Sequence, residues 1–127
     1  MGTDTDKDVL ARNLELLQRS KCQQLGAEFL KVLPTDQLGI AENVRSGLLP
    51  LHGLRHRPEA GTCGWYVWAG EALSNSPDFF QPLHVSHIHE WCPQIESFLG
   101  LAPGWRFLIA DKYEDVNRPG IAGGSNS

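Results

Sequence analysis

The chain has 127 residues, of which 41% are hydrophobic and 20% are charged, and this composition is typical of a globular rather than a disordered protein. Residues 1–36 carry five basic and six acidic side chains, residues 37–70 carry three and two, and residues 71–127 carry three and seven, so the formal net charge of −4 lies in the last segment. Because nucleic-acid binding needs a basic surface, we expect no direct nucleic-acid partner. The length predicts one domain with its own core.

Features of export and membrane insertion are missing from the sequence. No run of 18 apolar residues is present, and the N-terminal sequence MGTDTDKDV lacks the apolar centre of a signal peptide. The three cysteines, Cys22, Cys63 and Cys92, have no paired spacing. Reduced thiols and a cytoplasmic location are therefore expected, with no membrane association and no cofactor.

The first predicted element is an amphipathic helix that packs one apolar stripe on the core. Its N-terminus has several capping candidates in the sequence TDTD, and Gly26 is predicted to end it. Residues 1–6 are expected to be frayed. The stripe consists of Val9, Leu10, Leu14, Leu17, Cys22 and Leu25.

The segment Leu38–Gly70 predicts an antiparallel meander. Leu38–Val44 has strand character, and Leu48–Leu51 is interpreted as an extended edge segment because it contains a proline. The residues His52–Arg57 form a small basic cluster that we expect to be solvated.

The stretch Thr62–Leu83, with the sequence TCGWYVWAGEALSNSPDFFQPL, is the most aromatic part of the chain. Its first half alternates apolar residues on both faces, which predicts a central strand covered on both sides. A loop with Asp78 in a first helical turn follows, and then a turn that carries Phe79 and Phe80 into the core.

The last third predicts a broken helical segment and two strands. The helices are predicted at Leu83–Trp91 and Gln94–Leu99, interrupted by Pro93. The strands are predicted at 105–110 and at Tyr113–Val116, and residues 117–127 are expected to be frayed. The fold class is α+β: one domain with an N-terminal helix and a mainly antiparallel sheet of four or five strands, with the broken helical segment on one face.

The sequence contains candidate residues for a metal site. His84, His87, His89 and Cys92 are zinc-ligand types within nine residues, but one helix cannot direct all four at one ion, so a second element such as His52 or His56 would have to complete the site.

A cysteine nucleophile is the other chemical alternative. Cys63 could be activated by His56, with Asp78 orienting the histidine. A cysteine in an alternating strand is more often a small buried hydrophobe. A small metal-binding or cysteine-dependent enzyme is therefore an alternative interpretation, and a general interaction adaptor is another.

Between Gly39 and Val116 the chain contains, in order, GIAENVRSGLLPLHGLRH, GWYVWAGE, DFFQPLHVSHIHEWCP, LGLAPGWRFLIA and YEDV. This order of motifs resembles the immunity-33 type of bacterial immunity protein. Those proteins are cytosolic antidotes to polymorphic effector toxins of secretion systems. The resemblance implies a non-enzymatic protein that binds and inhibits a cognate toxin by occluding its active or substrate site.

The acidity of residues 71–127 favours a basic partner, so we expect a toxin of the nuclease class. Carboxylates beside aromatic side chains would form the hot spot of such an interface. The candidate toxin-binding residues are Glu71, Asp78, Arg106, Tyr113, Glu114 and Asp115. Arg106 is also a candidate to pair with one of the last two carboxylates.

Overall fold

A computed structural model describes residues 2–70, 76 and 78–119, without the side chains of residues 2–8, 10 and 11. Helix α1 spans Gly2–Leu25 and the short helix α2 spans Ile88–Trp91. The strands are β1 Gln37–Ala41, β2 Leu51–Arg55, β3 Thr62–Ala69, β4 Phe80–His84, β5 Arg106–Ile109 and β6 Glu114–Asn117. Further 3-10 helices lie at Glu42–Ser46, Val85–His87 and Pro93–Phe98.

The six strands form one sheet in the order β4-β1-β3-β2-β5-β6. Strand β1 is parallel to β3, and all other neighbours are antiparallel. This architecture confirms the predicted α+β class with its N-terminal helix, although the sheet has six strands rather than four or five. The predicted antiparallel meander is wrong in one respect. Strand β1 does not pair with β2 but lies parallel to β3, and β2 pairs with β3 and β5. Strand β2 therefore lies inside the sheet and not at an edge.

Helix α1 packs on the domain with part of the predicted stripe, since Cys22 is buried and Leu25 packs against the core. Gln18 and Cys22 are buried, whereas Leu16 and Leu17 are 63% and 56% exposed. The amide of Gln18 donates a hydrogen bond of 3.0 Å to the carbonyl oxygen of Glu96. The packed side of the helix therefore includes Gln18, which the apolar pattern does not predict, while Leu17 of the predicted stripe is exposed. Within the described residues, no helix is both long enough and apolar enough to cross a membrane.

The core lies between the sheet and the helices on one side of it. Trp65 of β3 is fully buried, and its ring lies 5.4 Å from that of Phe107, which in turn stacks on Phe98 at 5.0 Å. The indole nitrogen of Trp65 donates to the carbonyl oxygen of Leu99 at 2.9 Å. The buried indole thus has the hydrogen-bond partner that its burial requires.

The predicted solvated cluster His52–Arg57 contains the most deeply buried charge of the described chain. Arg55 is only 1% exposed. Its guanidinium nitrogens donate to four carbonyl oxygens at 2.8 to 3.1 Å, those of Leu30, Cys63, Leu99 and Leu101. Burial lowers the pKa of Arg55, but a guanidinium remains protonated in proteins. Arg55 therefore ties the segment around residue 30 and the end of the Pro93–Phe98 helix to the sheet.

The predicted helix at Leu83–Trp91 begins later than expected. Phe80–His84 is a strand, β4, that pairs antiparallel with β1 at the sheet edge. Its Pro82 lacks an amide proton, which disfavours a central strand but is compatible with an edge. Phe79 and Phe80 are half-buried rather than part of the core.

Gly53 is expected to be essential for the contact between β2 and β5. It lies directly opposite Phe107, and a Cβ atom at position 53 would overlap the phenyl ring. We expect Gly53→Ala to lower the free energy of unfolding by about 1–3 kcal/mol in urea denaturation. In a Phe107→Leu background the same change should cost less, because the ring is gone. An equal loss of stability in both backgrounds would show that the contact with the ring of Phe107 is not the reason why position 53 needs glycine.

Candidate functional site

One face of the sheet is not covered by any helix within the described residues. The helical side chains that pack on the sheet, such as Cys22, Ile88 and Ile95, join the buried cluster of Trp65 and Val67. Because alternate residues of a strand point to opposite faces, Tyr66 and Trp68 point away from that cluster. The prediction that β3 is covered on both sides is therefore wrong for the described part of the chain.

The uncovered side carries a cluster of rings that we call the aromatic face, defined by His52, His56, Tyr66, Trp68 and Phe80. Tyr66 is 40% exposed, and its ring lies 5.1 Å from that of Phe80. His52 stacks on Trp68 at 5.1 Å and its Nε2 lies 2.8 Å from the carbonyl oxygen of Gly70. These contacts fix the rings in place before any partner binds.

Two hollows lie on either side of Tyr66. The larger one, of about 480 Å³, has apolar sides formed by Leu54, Tyr66, Trp68 and Phe80. The smaller one, of about 190 Å³, lies over β1 and β4. Both also border Thr62 and Gly64.

Glycines at two positions beside Tyr66 allow close contacts that a side chain would prevent. The ring of Tyr66 would lie only 2.8 Å from a Cβ atom at Gly39. Gly64 has a positive φ of 90°, and a Cβ atom there would overlap the carbonyl oxygen of His56. Position 64 therefore requires glycine, and the absence of a side chain leaves space beside Tyr66.

Four charged side chains lie on or beside the aromatic face. Arg57 and Glu59 border the larger hollow, and Arg106 lies directly opposite Leu54 in the neighbouring strand. Asp115, opposite Leu108, is on the same face. Among the described residues, none of these four side chains takes part in an ion pair.

The candidate toxin-binding residues do not form one surface. In the register of β5 and β6, Glu114 is opposite Ile109 and Asp115 is opposite Leu108, so the two carboxylates point to different faces. Glu114 lies 3.9 Å from the ammonium group of Lys21 on the helix side. Tyr113, 62% exposed, lies at the turn before β6.

Of the remaining candidates, Arg106 shares a face of the sheet with Asp115. Arg106 is opposite Asn117 and forms no ion pair with Glu114 or Asp115, so that predicted pairing is wrong. Asp78 is exposed in the segment before β4. Glu71 lies outside the described residues. The binding roles of these six residues stay predictions, but the structure does not unite them in one acidic and aromatic patch.

The candidate zinc ligands are likewise not assembled. The rings of His84 and His87 lie 6.0 Å apart and nearly perpendicular, while His89 is hydrogen-bonded to Glu96 at 3.0 Å. Cys92 is buried, and burial raises the pKa of its thiol to about 12. In the part of the chain that the structure describes, no group of three potential ligands is placed to hold a metal ion.

The pair formed by His89 and Glu96 gives a testable pH dependence. The hydrogen bond to Glu96 raises the pKa of His89 above its ordinary value of 6.5. A raised folded-state pKa contributes stability that is complete below the ordinary pKa and is lost as the pH rises through the folded-state pKa. In an NMR titration, Glu96→Gln should lower the pKa of His89, whereas Glu90→Gln should change it less. An unchanged pKa in Glu96→Gln would contradict the assignment.

The proposed cysteine nucleophile is not accessible. Cys63 is 1% exposed in the core cluster, and burial raises the pKa of its thiol. The ring of His56 lies on the other side of the sheet, edge-on to Tyr66 at 5.2 Å. A thiol with a raised pKa and an imidazole on the opposite face cannot exchange a proton directly.

The sequence contains a signal for the aromatic face, although its alternation predicts a strand covered on both sides. Trp65 and Tyr66 are adjacent, so only one of them can face a one-sided core. The partners of Tyr66 and Trp68 in the neighbouring strands are Gly39, Leu54 and His52. A glycine and a histidine on that side are more typical of an open face than of a second core.

Comparison with known proteins gives one result. A family model described as Imm33-like domain matches residues 17–119. The match contains the motifs between Gly39 and Val116, the whole sheet and the second part of helix α1. No curated protein and no solved structure matches the chain.

Proposed function

Because the chain belongs to the Imm33-like domain family, we propose that it is an immunity protein that binds a cognate toxin through the aromatic face and thereby inhibits it. The observation that carries this proposal is a row of half-exposed rings, Tyr66, Trp68 and Phe80, on a sheet face that the described helices leave open. Immunity is a binding function, and it needs a surface of this kind rather than a reaction centre.

The aromatic face has the physical properties of a binding hot spot. Tyrosine and tryptophan bury a large area at a low cost in side-chain entropy, and they are enriched where interface residues contribute most of the affinity. The rings contact one another at 5.1 to 6.1 Å and are thus ordered in the free protein. Little entropy then remains to be lost when a partner binds.

The proposal also includes a class of toxin and a mode of inhibition. Occlusion of the toxin's active or substrate site, in the cytoplasm of the producing cell, is the mode we propose. A nuclease remains the proposed class because of the acidic residues of the last segment. The charge that favours this class is the total charge of the segment, since Glu114 and Asp115 point to opposite faces of the sheet.

The test is capture followed by protection. The tagged protein is used to isolate partners from its native cells, and a captured toxin domain is then expressed in a susceptible host with and without this protein. We expect the toxin domain alone to arrest growth and co-expression to restore it. A captured protein that is harmless alone would favour an interaction adaptor instead, and absence of any partner would contradict the proposal.

A protection experiment also separates the toxin classes. Degradation of chromosomal DNA or of RNA in the arrested cells identifies a nuclease. Intact nucleic acids with growth arrest would exclude the nuclease class and leave the immunity function standing.

A further inference from the structure

The larger hollow of the aromatic face has a chemical preference that the overall charge of the chain does not suggest. Its sides are formed by Leu54, Tyr66, Trp68 and Phe80, which are apolar or aromatic. A volume of about 480 Å³ is in the range of hollows that enclose a small ligand or a few side chains. An apolar side chain of a partner therefore finds a matching environment there.

Two charged side chains border this hollow and a second arginine lies next to one of its lining residues. Arg57 and Glu59 border it directly, and Arg106 is the cross-strand neighbour of Leu54, so the Cβ atoms of residues 106 and 54 are separated by about 4.5–5.5 Å. These three side chains carry a net charge of +1, although the chain as a whole carries −4; Asp115, the other acidic residue of this face, lies one strand further away, in β6. Neither guanidinium group forms a hydrogen bond or an ion pair with another described residue, so both are available to a partner.

We infer that the larger hollow receives a toxin segment with an apolar side chain next to a carboxylate, and that Arg57 and Arg106 bind the carboxylate. A planar guanidinium binds a carboxylate in a bidentate manner, and a neighbouring apolar contact removes water from the pair. This inference rests on the proposed function, since it describes the segment of the toxin that the aromatic face recognises. It also reverses the expected polarity of the contact, because an acidic segment of the toxin meets a basic part of this protein.

Charge reversals test the sign of the contact. The probe is the toxin domain identified by the capture experiment, and its affinity is measured by titration calorimetry at low and high salt. We expect Arg57→Glu and Arg106→Glu each to weaken binding at least about tenfold, because a like charge then faces the partner's carboxylate. Glu59→Lys is the matched reversal of opposite sign and should increase the affinity, because it adds a positive charge beside the partner's carboxylate.

Salt gives an independent check on the same samples. The wild-type affinity should fall between about 0.05 M and about 0.5 M NaCl, and the salt dependence should be smaller in Arg57→Glu. All three substituted side chains are exposed, so circular dichroism should show folded proteins.

The outcomes separate this inference from the proposed function. Unchanged affinity in both arginine variants, or a loss in Glu59→Lys that equals theirs, overturns the inference. If Tyr66→Ala still weakens binding in that case, the aromatic face remains the toxin-binding surface. Failure of the wild-type protein to bind or neutralise any toxin overturns both.

Discussion

Replacing Arg55 with alanine is expected to lower the free energy of unfolding by more than about 3 kcal/mol. Four backbone carbonyl oxygens accept hydrogen bonds from this guanidinium, at 2.8 to 3.1 Å. A buried acceptor without a donor costs about 1–3 kcal/mol. The carbonyl of Leu99 keeps the indole of Trp65 as a donor, so the loss falls on the other carbonyls.

The size of this loss matters because a domain of this length has a total stability of about 5–15 kcal/mol. The Leu30 and Leu101 carbonyls belong to segments that reach the sheet through Arg55. We therefore expect these segments to detach first, ahead of the β2–β3 pairing. Hydrogen exchange of the amides of residues 29–31 and 99–101 would detect the detachment before global unfolding.

Two further variants define what the guanidinium contributes. Arg57→Ala removes an exposed arginine two residues away and should change stability by no more than about 0.5 kcal/mol. Arg55→Lys keeps the charge but lacks the fork of donors, so it should still lose much of the stability. Urea unfolding followed by tryptophan fluorescence measures all three. An Arg55→Ala protein as stable as Arg57→Ala would show that the carbonyls find other donors.

The architecture was more predictable from the sequence than the role of individual side chains. Alternation in β3 and β5 marks strands because the side-chain period of a strand is two. Strand β4 was missed because Pro82 and two phenylalanines resemble a turn. Its strand character comes from pairing with β1, a contact that is distant in sequence.

Arg55 shows why the buried residues could not all be predicted from the sequence. It belongs to the sequence HGLRHR, whose two histidines and second arginine are typical of a solvent-exposed segment. In the sheet, however, it is on the same face as Leu51 and Gly53. The carbonyls that compensate its burial come from segments about 25 and 46 residues away. Local sequence patterns carry no information on such partners.

The kind of function could be predicted from the sequence, but the position of the binding surface could not. The motif resemblance indicated an immunity protein, and the Imm33-like match confirms the family. The predicted contact residues were chosen for acidity beside an aromatic ring, as in Tyr113 and Glu114. Whether neighbouring residues share a face depends on the register of β5 and β6, which places Glu114 next to Lys21.

Tyr66→Ala is expected to weaken toxin binding about 30- to 1,000-fold, which corresponds to about 2–4 kcal/mol for a central aromatic anchor. Tyr66 separates the two hollows and contacts both His56 and Phe80. Removal of its ring would merge the hollows into one shallow depression. Since the ring is 40% exposed, the fold should tolerate the change, and circular dichroism together with urea unfolding would verify this.

Tyr113→Ala is the control, because it removes a tyrosine ring that is 62% exposed at the turn before β6, away from the hollows. Affinity and growth protection should both stay near wild type in this variant. Tyr66→Phe retains the ring and loses only the hydroxyl, so it should bind far better than Tyr66→Ala. The reverse pattern, with binding lost in Tyr113→Ala and kept in Tyr66→Ala, would move the interface to β6. In that case, Glu114 and Asp115 would be its next residues to test, one on each face of the sheet.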